Sequence, residues 1–316
     1  MKRNIFSQIG SLVLLFVIAS LFPSELGIII GGAVFTMLAI GMPLRFLAPV
    51  GAVAVIIYGF TFYDFKLGMY MALSFVLSGW AQGTLIRSRK GLGAILTAGT
   101  LIRGTFLLAA YSRLSDIEKI NIKDLLIGEP PAEMYEVMAE LGYGEEMSGA
   151  FAEMWDFFGN LIPAVIIVSA LTYAFLSVGF AKFFLRKMPV AFAGIKKYSD
   201  IKPDIQFTIC ALLITVFAFF KGDFEVILLN SAYVLYVIYM AFGFAFIMRL
   251  INKGVRKSVV SFFLTLIIAI VTFGFVLPFV GIVSAFVPEH NEEKESFNET
   301  SEEINENKED EIRKDD

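Results

Sequence analysis

GLGAILTAGTLIRGTFLLAAY, from Gly91 to Tyr111, carries a single charge, Arg103, among otherwise uncharged and mostly apolar residues. A spanning helix needs roughly 17 to 25 mainly apolar residues, because the hydrocarbon core is ~30 Å thick and each residue rises ~1.5 Å. This stretch meets that length, and similar stretches recur almost to the end of the chain. With 57% hydrophobic residues, 18% charged residues and a mean hydropathy of +0.73 over 316 positions, the chain cannot be arranged as a water-soluble globule. The fold class it predicts is all-α, a polytopic transmembrane helical bundle.

Nine apolar stretches qualify: 5–21, 26–42, 46–62, 67–86, 92–110, 161–184, 205–220, 224–251 and 259–286. The junction at Gly41-Met42-Pro43 leaves a second reading, one broken helix in place of two and eight crossings in all. The first stretch follows Lys2 and Arg3 in the manner of a signal peptide, but no small-residue cleavage site precedes the next apolar run, so it reads as a retained helix. Residues 1–287 thus form one membrane domain, and residues 288–316 form a tail.

Loop charge gives the orientation, since Lys and Arg concentrate on the cytoplasmic side. With the N-terminus inside, the inner segments collect 16 cations, among them Arg87, Arg89, Lys90, Lys196 and Lys257, against Asp200 and Asp204. The outer segments hold 9 cations and 28 acidic residues. That separation favours nine crossings, because removing one helix would invert half of the loops. It predicts a cytoplasmic N-terminus and an extracytoplasmic C-terminus.

The one long loop, 112–160, lies outside in this scheme and reads as two amphipathic helices separated at Gly142-Tyr143-Gly144. The first opens on Pro130-Pro131, which suits an N-terminal turn. In the second, Met147, Phe151, Met154, Trp155 and Phe158 recur at helical spacing, while Glu145, Glu146, Glu153 and Asp156 take other positions. Such a helix rests on the outer membrane surface or folds over the bundle as a lid. The tail holds 13 acidic and four basic residues with almost no apolar ones, too few to offset the entropy of ordering, and is expected to be disordered.

Few residues in the helices carry chemistry. The single histidine, His290, falls in the tail, and the single cysteine, Cys210, sits in an apolar run where packing is its expected role. Metal sites and serine-hydrolase triads lack material, no paired carboxylates lie within the helices, and no cofactor is expected; the chain reads as a non-enzyme. An ionisable side chain near the bilayer centre costs at least ~2.5 kcal/mol on insertion scales, so it normally faces the bundle interior or water. Arg103 is the clearest case, with two readings: pairing with Asp64, Glu153 or Asp156 near the outer face, or contact with an anionic group of a ligand. Asp64 is itself a candidate by its place in the outer turn. Trp80 and Gln82 form a second pair able to line a cavity, and Asn230 with Tyr233 a third, the latter beside Tyr236 and Tyr239 at helical spacing. Small residues four apart, Gly27 and Gly31, Gly79 and Gly83, Ala94 and Ala98, Ala170 and Ala174, read as faces for close helix packing.

The order of these features is also informative. Short hydrophobic helices lead to a basic turn and Gly91-Leu92-Gly93-Ala94-Ile95-Leu96-Thr97-Ala98-Gly99-Thr100. An outer amphipathic loop follows, then Leu161-Ile162-Pro163-Ala164, a helix ending Phe184-Leu185-Arg186-Lys187, and the stretch Tyr239 to Arg249. This layout resembles the YybS-like family of bacterial multispanning proteins along nearly all of Ile5 to Phe286. That family is distantly similar to the substrate-binding S components of energy-coupling-factor transporters. The resemblance implies a compact bundle with an outward-opening cavity whose N-terminal helices touch a coupling subunit. The chain departs from it in the last helix, where Gly281 is followed by no acidic or basic residue, and in counting nine helices where S components have six.

The expected function is then small-molecule binding as an S-component-like transport subunit. No G-x-x-x-x-G-K-[ST] pattern is present, so ATPases and a coupling membrane subunit are the expected partners, beside the bilayer and without nucleic acid. The alternative from another class is a membrane scaffold or regulator in envelope or sporulation processes, acting through the loop or the acidic tail.

Overall fold

The computed structural model describes residues 25–41, 44–128, 145–185, 201–218, 224–254, 258–271 and 274–287, with the single residues 137, 140 and 198. All regular structure among them is α-helical. The helices are α1 (Glu25–Gly41), α2 (Leu44–Thr61), α3 (Phe65–Arg87), α4 (Leu92–Glu118), α5 (Ile122–Ile127), α6 (Glu145–Asn160), α7 (Ile162–Phe184), α8 (Ile205–Phe217), α9 (Glu225–Gly254), α10 (Ser258–Val271) and α11 (Val276–Phe286).

Eight of the nine predicted stretches fall among the described residues, and seven of these are single helices. The first stretch, the helix opening on Pro130-Pro131 and the acidic tail lie outside them. Three helices, 92–118, 162–184 and 225–252, are long and apolar enough to cross a membrane by length and composition, and several shorter helices are equally apolar. Two differences from the sequence reading stand out. A short helix, α5, opens the loop soon after α4, started by the Asn121 side chain, which accepts from the Lys123 amide, and stopped at Gly128 with φ +73°. The ninth stretch is two helices, because Gly274 takes φ +75° and Pro278 sits in the first turn of α11, where a missing N–H leaves no helical bond unmade.

Two groups of helices result. In the first, α3 is the hub, flanked by α1, α2 and α4, with α7 closing the far side against α1 and α4. Glycines set the close approaches. A methyl at Gly79 would fall 2.7 Å from the Gly32 carbonyl oxygen, and one at Gly83 would meet the Thr36 carbonyl oxygen and Ala39, so α1 and α3 run parallel in near backbone contact. Gly68 does the same for α2, where Tyr58 and Gly59 face it. Phe35, Tyr58 and Phe75 fill the space between, the last two edge to face at 5.0 Å.

The predicted small-residue faces divide accordingly. Gly79 and Gly83, and the buried Ala170 and Ala174, lie at helix contacts, whereas Ala94 is exposed. In the second group, α9 carries α8, α10 and α11. Its tightest crossing joins Gly243 to Leu277 and Gly281 to Tyr239, with backbone on backbone, and sets α9 and α11 antiparallel. Asn230 and the α7–α9 contact connect the two groups. Cys210 is exposed on α8 beside Ile209, Leu212 and Leu213, an apolar surface of the kind that meets lipid, so packing inside the bundle is not its role.

Candidate functional site

α3 passes through the first group and would be expected to be apolar all round. Instead Ser74, Ser78 and Gln82, each four residues on, form a stripe, and all three are fully buried. The stripe faces α4 and α7. One level of it meets Gly99, whose missing side chain leaves room for the Gln82 amide; the next meets Arg103.

Arg103 is the largest fully buried side chain described, at 0% exposure. Its Nη2 donates to Ser78 Oγ at 3.0 Å and its Nη1 to Ser177 Oγ at 3.4 Å, and its guanidinium lies 5.7 Å from the centre of the Tyr173 ring. Four helices contribute: α4 the cation, α3 and α7 the hydroxyls, and α1 the gap, since a methyl at Gly32 would overlap both the guanidinium and Ser177. Nε has no hydrogen-bond partner. Arginine is an obligate donor with no acceptor and stays charged, so this N–H is a buried, unsatisfied group.

No carboxylate pairs with Arg103 among the described residues, which corrects the expected pairing. Asp64 is taken by Arg113, whose Nη2 lies 3.0 Å from Asp64 Oδ2, and it also caps α3 by accepting from the Leu67 amide at 2.8 Å. Those two donors hold the Asp64 carboxyl below the usual carboxylate range. Asp156 pairs with Lys123, and Glu153 is exposed on α6. Apart from Glu225, at the very start of α9, none of the 30 acidic residues falls within the nine apolar stretches.

Gln82 Nε2 donates to the Ala174 carbonyl of α7 at 3.0 Å, which fixes the amide so that Oε1 points elsewhere, and Oε1 has no partner. Trp80 is half-buried against the hydrophobic core of the first group, away from this stripe by its place on the helix. Asn230 lies elsewhere and acts as a clasp. Its Oδ1 accepts from the Ala164 amide in the first turn of α7 at 2.8 Å, and its Nδ2 donates to the Asn160 carbonyl at 2.7 Å. Tyr233 and Tyr236 are exposed on α9, whereas Tyr239 is buried and donates to Thr208 Oγ1 of α8 at 2.9 Å. The six candidates are therefore not one constellation: the structure brings Arg103 and Gln82 to one seam and leaves Asp64, Trp80, Asn230 and Tyr233 apart.

Ser78, Ser177, Tyr173 and Gly32 complete the cluster, and sequence reasoning missed them. Ser74, Ser78 and Gln82 did carry a signal, a polar stripe at helical spacing inside an apolar segment. Gly32 carried none, since its role depends on which helix lies opposite.

These features define a polytopic α-helical membrane protein with a cation buried among its helices that meets no carboxylate among the described residues. The chain belongs to the family described as Predicted membrane protein (DUF2232), which it matches over residues 11–286. No curated protein and no solved structure matches it.

Proposed function

We propose that this protein is a non-enzymatic binding subunit for a small molecule, an S-component-like part of a transport system in the bacterial inner membrane. The observation that carries the reading is Arg103: a guanidinium without exposure, without a carboxylate and with Nε unpartnered is a charge awaiting a counter-ion. Removing an ion from water costs several kcal/mol even after relaxation, and neutral hydroxyls repay little of that. The cation is enclosed by four helices of its own chain, which keeps bulk water from serving as its counter-charge. The likeness of the segment order to the YybS-like family supports the transport context. Without a P-loop pattern the chain draws energy from partner ATPases through a coupling membrane subunit. The direct test is purification of the full chain with native lipids. A small molecule that copurifies with it and is lost from Arg103→Ala, together with a coupling ATPase, supports the reading; the absence of both overturns it.

A second reading, a scaffold or regulator working through the outer loop or the tail, is favoured by α6. Phe151 and Trp155 of that helix turn inward, Trp155 donating to the Gly128 carbonyl at 3.1 Å, whereas Met154, Phe157 and Phe158 are exposed on an adjoining face. Deleting residues 288–316, or replacing those three exposed residues by Ser, abolishes activity with intact insertion under this reading alone.

A further inference from the structure

We infer that the counter-ion of Arg103 is the carboxylate of a small monoanionic ligand, and that Gln82 receives an N–H or O–H donor of the same molecule. The inference rests on the small-molecule reading above and specifies the ligand class.

Charge selects the anion. Arg103 offers one positive charge, and the nearest cation along α4, Arg113, lies almost three helical turns away and is already paired with Asp64. A phosphate monoester carries about −1.5 to −2 at neutral pH and would leave net negative charge in an apolar enclosure. A carboxylate balances the guanidinium, and it suits the donor geometry. Nε and a neighbouring Nη form a fork for two carboxylate oxygens, and of these Nε is unoccupied. The hydroxyls can yield their place: while accepting from Arg103, Ser78 Oγ donates to the Phe75 carbonyl oxygen and Ser177 Oγ to that of Ile29, both at 3.4 Å, so each hydroxyl stays bonded when the carboxylate takes the guanidinium.

The second contact follows from the stripe. Gln82 is one helical turn from Ser78 on α3, and its neighbour Gly99 is one turn from Arg103 on α4, so the Gln82 amide occupies the next level of the seam, about one helical pitch (~5.4 Å) along it from the level of the cation. Its amide nitrogen is committed to Ala174, leaving an oriented acceptor with nothing to accept. A site with a buried unpaired acceptor discriminates strongly for ligands that carry the matching donor. An acidic residue of a partner helix is disfavoured as the counter-ion, because α1, α3, α4 and α7 together leave the guanidinium no exposure.

The test uses the full chain in lipid nanodiscs and thermal unfolding as the readout, with 4-hydroxyphenylacetate as the probe, an apolar body with a carboxylate at one end and a hydroxyl at the other. The expected result is a concentration-dependent rise in Tm that is absent with 4-hydroxyphenylacetamide and with inorganic phosphate. 4-Methylphenylacetate, which lacks the donor, should bind about tenfold more weakly. Arg103→Gln should abolish the response, and Gln82→Ala should abolish the preference for hydroxyl over methyl while keeping the response to carboxylate. Should Arg103→Gln fail to fold, the comparison of acid with amide on the unaltered protein decides the charge, and Gln82→Ala decides the second contact. Equal shifts from acid and amide, preference for phosphate, or no shift with either carboxylate at millimolar concentration overturns the inference. A neutral small molecule copurifying with the protein would overturn it too, while leaving the transport reading intact.

Discussion

At the scale of single residues, an unpaired buried charge makes an unusual prediction about stability. Replacing a buried ionic group by an apolar side chain of similar size is often neutral or stabilising by ~1–4 kcal/mol, because the desolvation cost disappears with the charge. Arg103→Met should therefore leave the Tm of the ligand-free protein unchanged or raise it, while removing its response to carboxylates; a fall in Tm of the size seen for a lost core residue would make the guanidinium a structural strut instead. Gly32 gives the matching steric test. A methyl there overlaps the guanidinium and Ser177 Oγ, so Gly32→Ala should destabilise by roughly 1–3 kcal/mol, whereas Gly104→Ala, whose methyl would sit 3.7 Å from Ala170 in ordinary contact, should be tolerated. Asp64 supplies a pH signature. Its folded pKa lies below the unfolded value of about 3.9, so its contribution is complete above that value and is lost as the pH falls through the folded one. The Tm difference between the unaltered protein and Asp64→Asn should accordingly be constant above about pH 5 and shrink below about pH 4. Arg103 was legible in the sequence because a lone cation in an apolar run violates the rule for membrane helices. Its surroundings were not. Serine in a membrane helix can bond its own backbone, as Ser74 does to Met71, so a hydroxyl by itself does not announce a tertiary partner, and the partner of Asp64 lies 49 positions along the chain.

At the scale of helices, apolar length was readable and close contact was not. Seven stretches became single helices because their apolar runs are long and their ends carry ordinary signals: Asp64 before α3, Asp204 before α8, Pro163 in the first turn of α7. The ninth stretch was misjudged as continuous, although Gly274 and Pro278 stand four apart within it, the spacing of a stop followed by a first-turn proline. α3 illustrates the converse case. It is not one of the three long apolar helices, since Ser74, Ser78 and Gln82 dilute it, yet it is the hub, because Gly68, Gly79 and Gly83 let its neighbours approach closely. The α9–α11 crossing was invisible in advance, because Gly243 and Gly281 are 38 positions apart and each looks like any glycine of a membrane segment. It yields the sharpest prediction at this scale. A methyl at Gly243 would strike the Leu277 carbonyl, which is backbone and has no rotamer to change, so Gly243→Ala should lower stability by at least ~1–3 kcal/mol and loosen α11. Gly179→Ala in α7, with nothing within 4 Å of the added methyl, is the neutral control. Limited proteolysis near Val287 should accelerate in the first variant and not in the second.

At the scale of the whole molecule, the helix directions place the described turns at one end or the other. Arg113 of α4 reaches Asp64 at the start of α3, so the end of α4, the following α5 and the start of α3 share one end, and the Arg87–Lys90 turn lies at the opposite one. The Asn230 clasp brings the start of α9 to the start of α7, beside α6, and the antiparallel α11 therefore runs back toward that same end. Among the described residues Arg87, Lys182 and Arg249 lie toward one end, and the acidic Asp64, Asp116, Glu118, Asp124, Asp156 and Glu225 lie at the other together with the basic Lys66, Arg113, Lys119 and Lys123. The helix directions thus put the Arg87–Lys90 turn and the loop after α4 at opposite ends, as the loop-charge reading requires. The absolute side is an expectation of the charge rule, under which the basic end faces the cytoplasm. In a Cys210→Ala background, which removes the exposed native thiol, a membrane-impermeant maleimide applied to intact cells should label a cysteine introduced at Glu136 and spare one at Lys196 until the cells are opened. The reverse pattern would turn the molecule over in the membrane and carry the outer loop into the cytoplasm. Labelling of both sites in intact cells would break the link between helix direction and side altogether, and with it any path for a ligand from outside to Arg103.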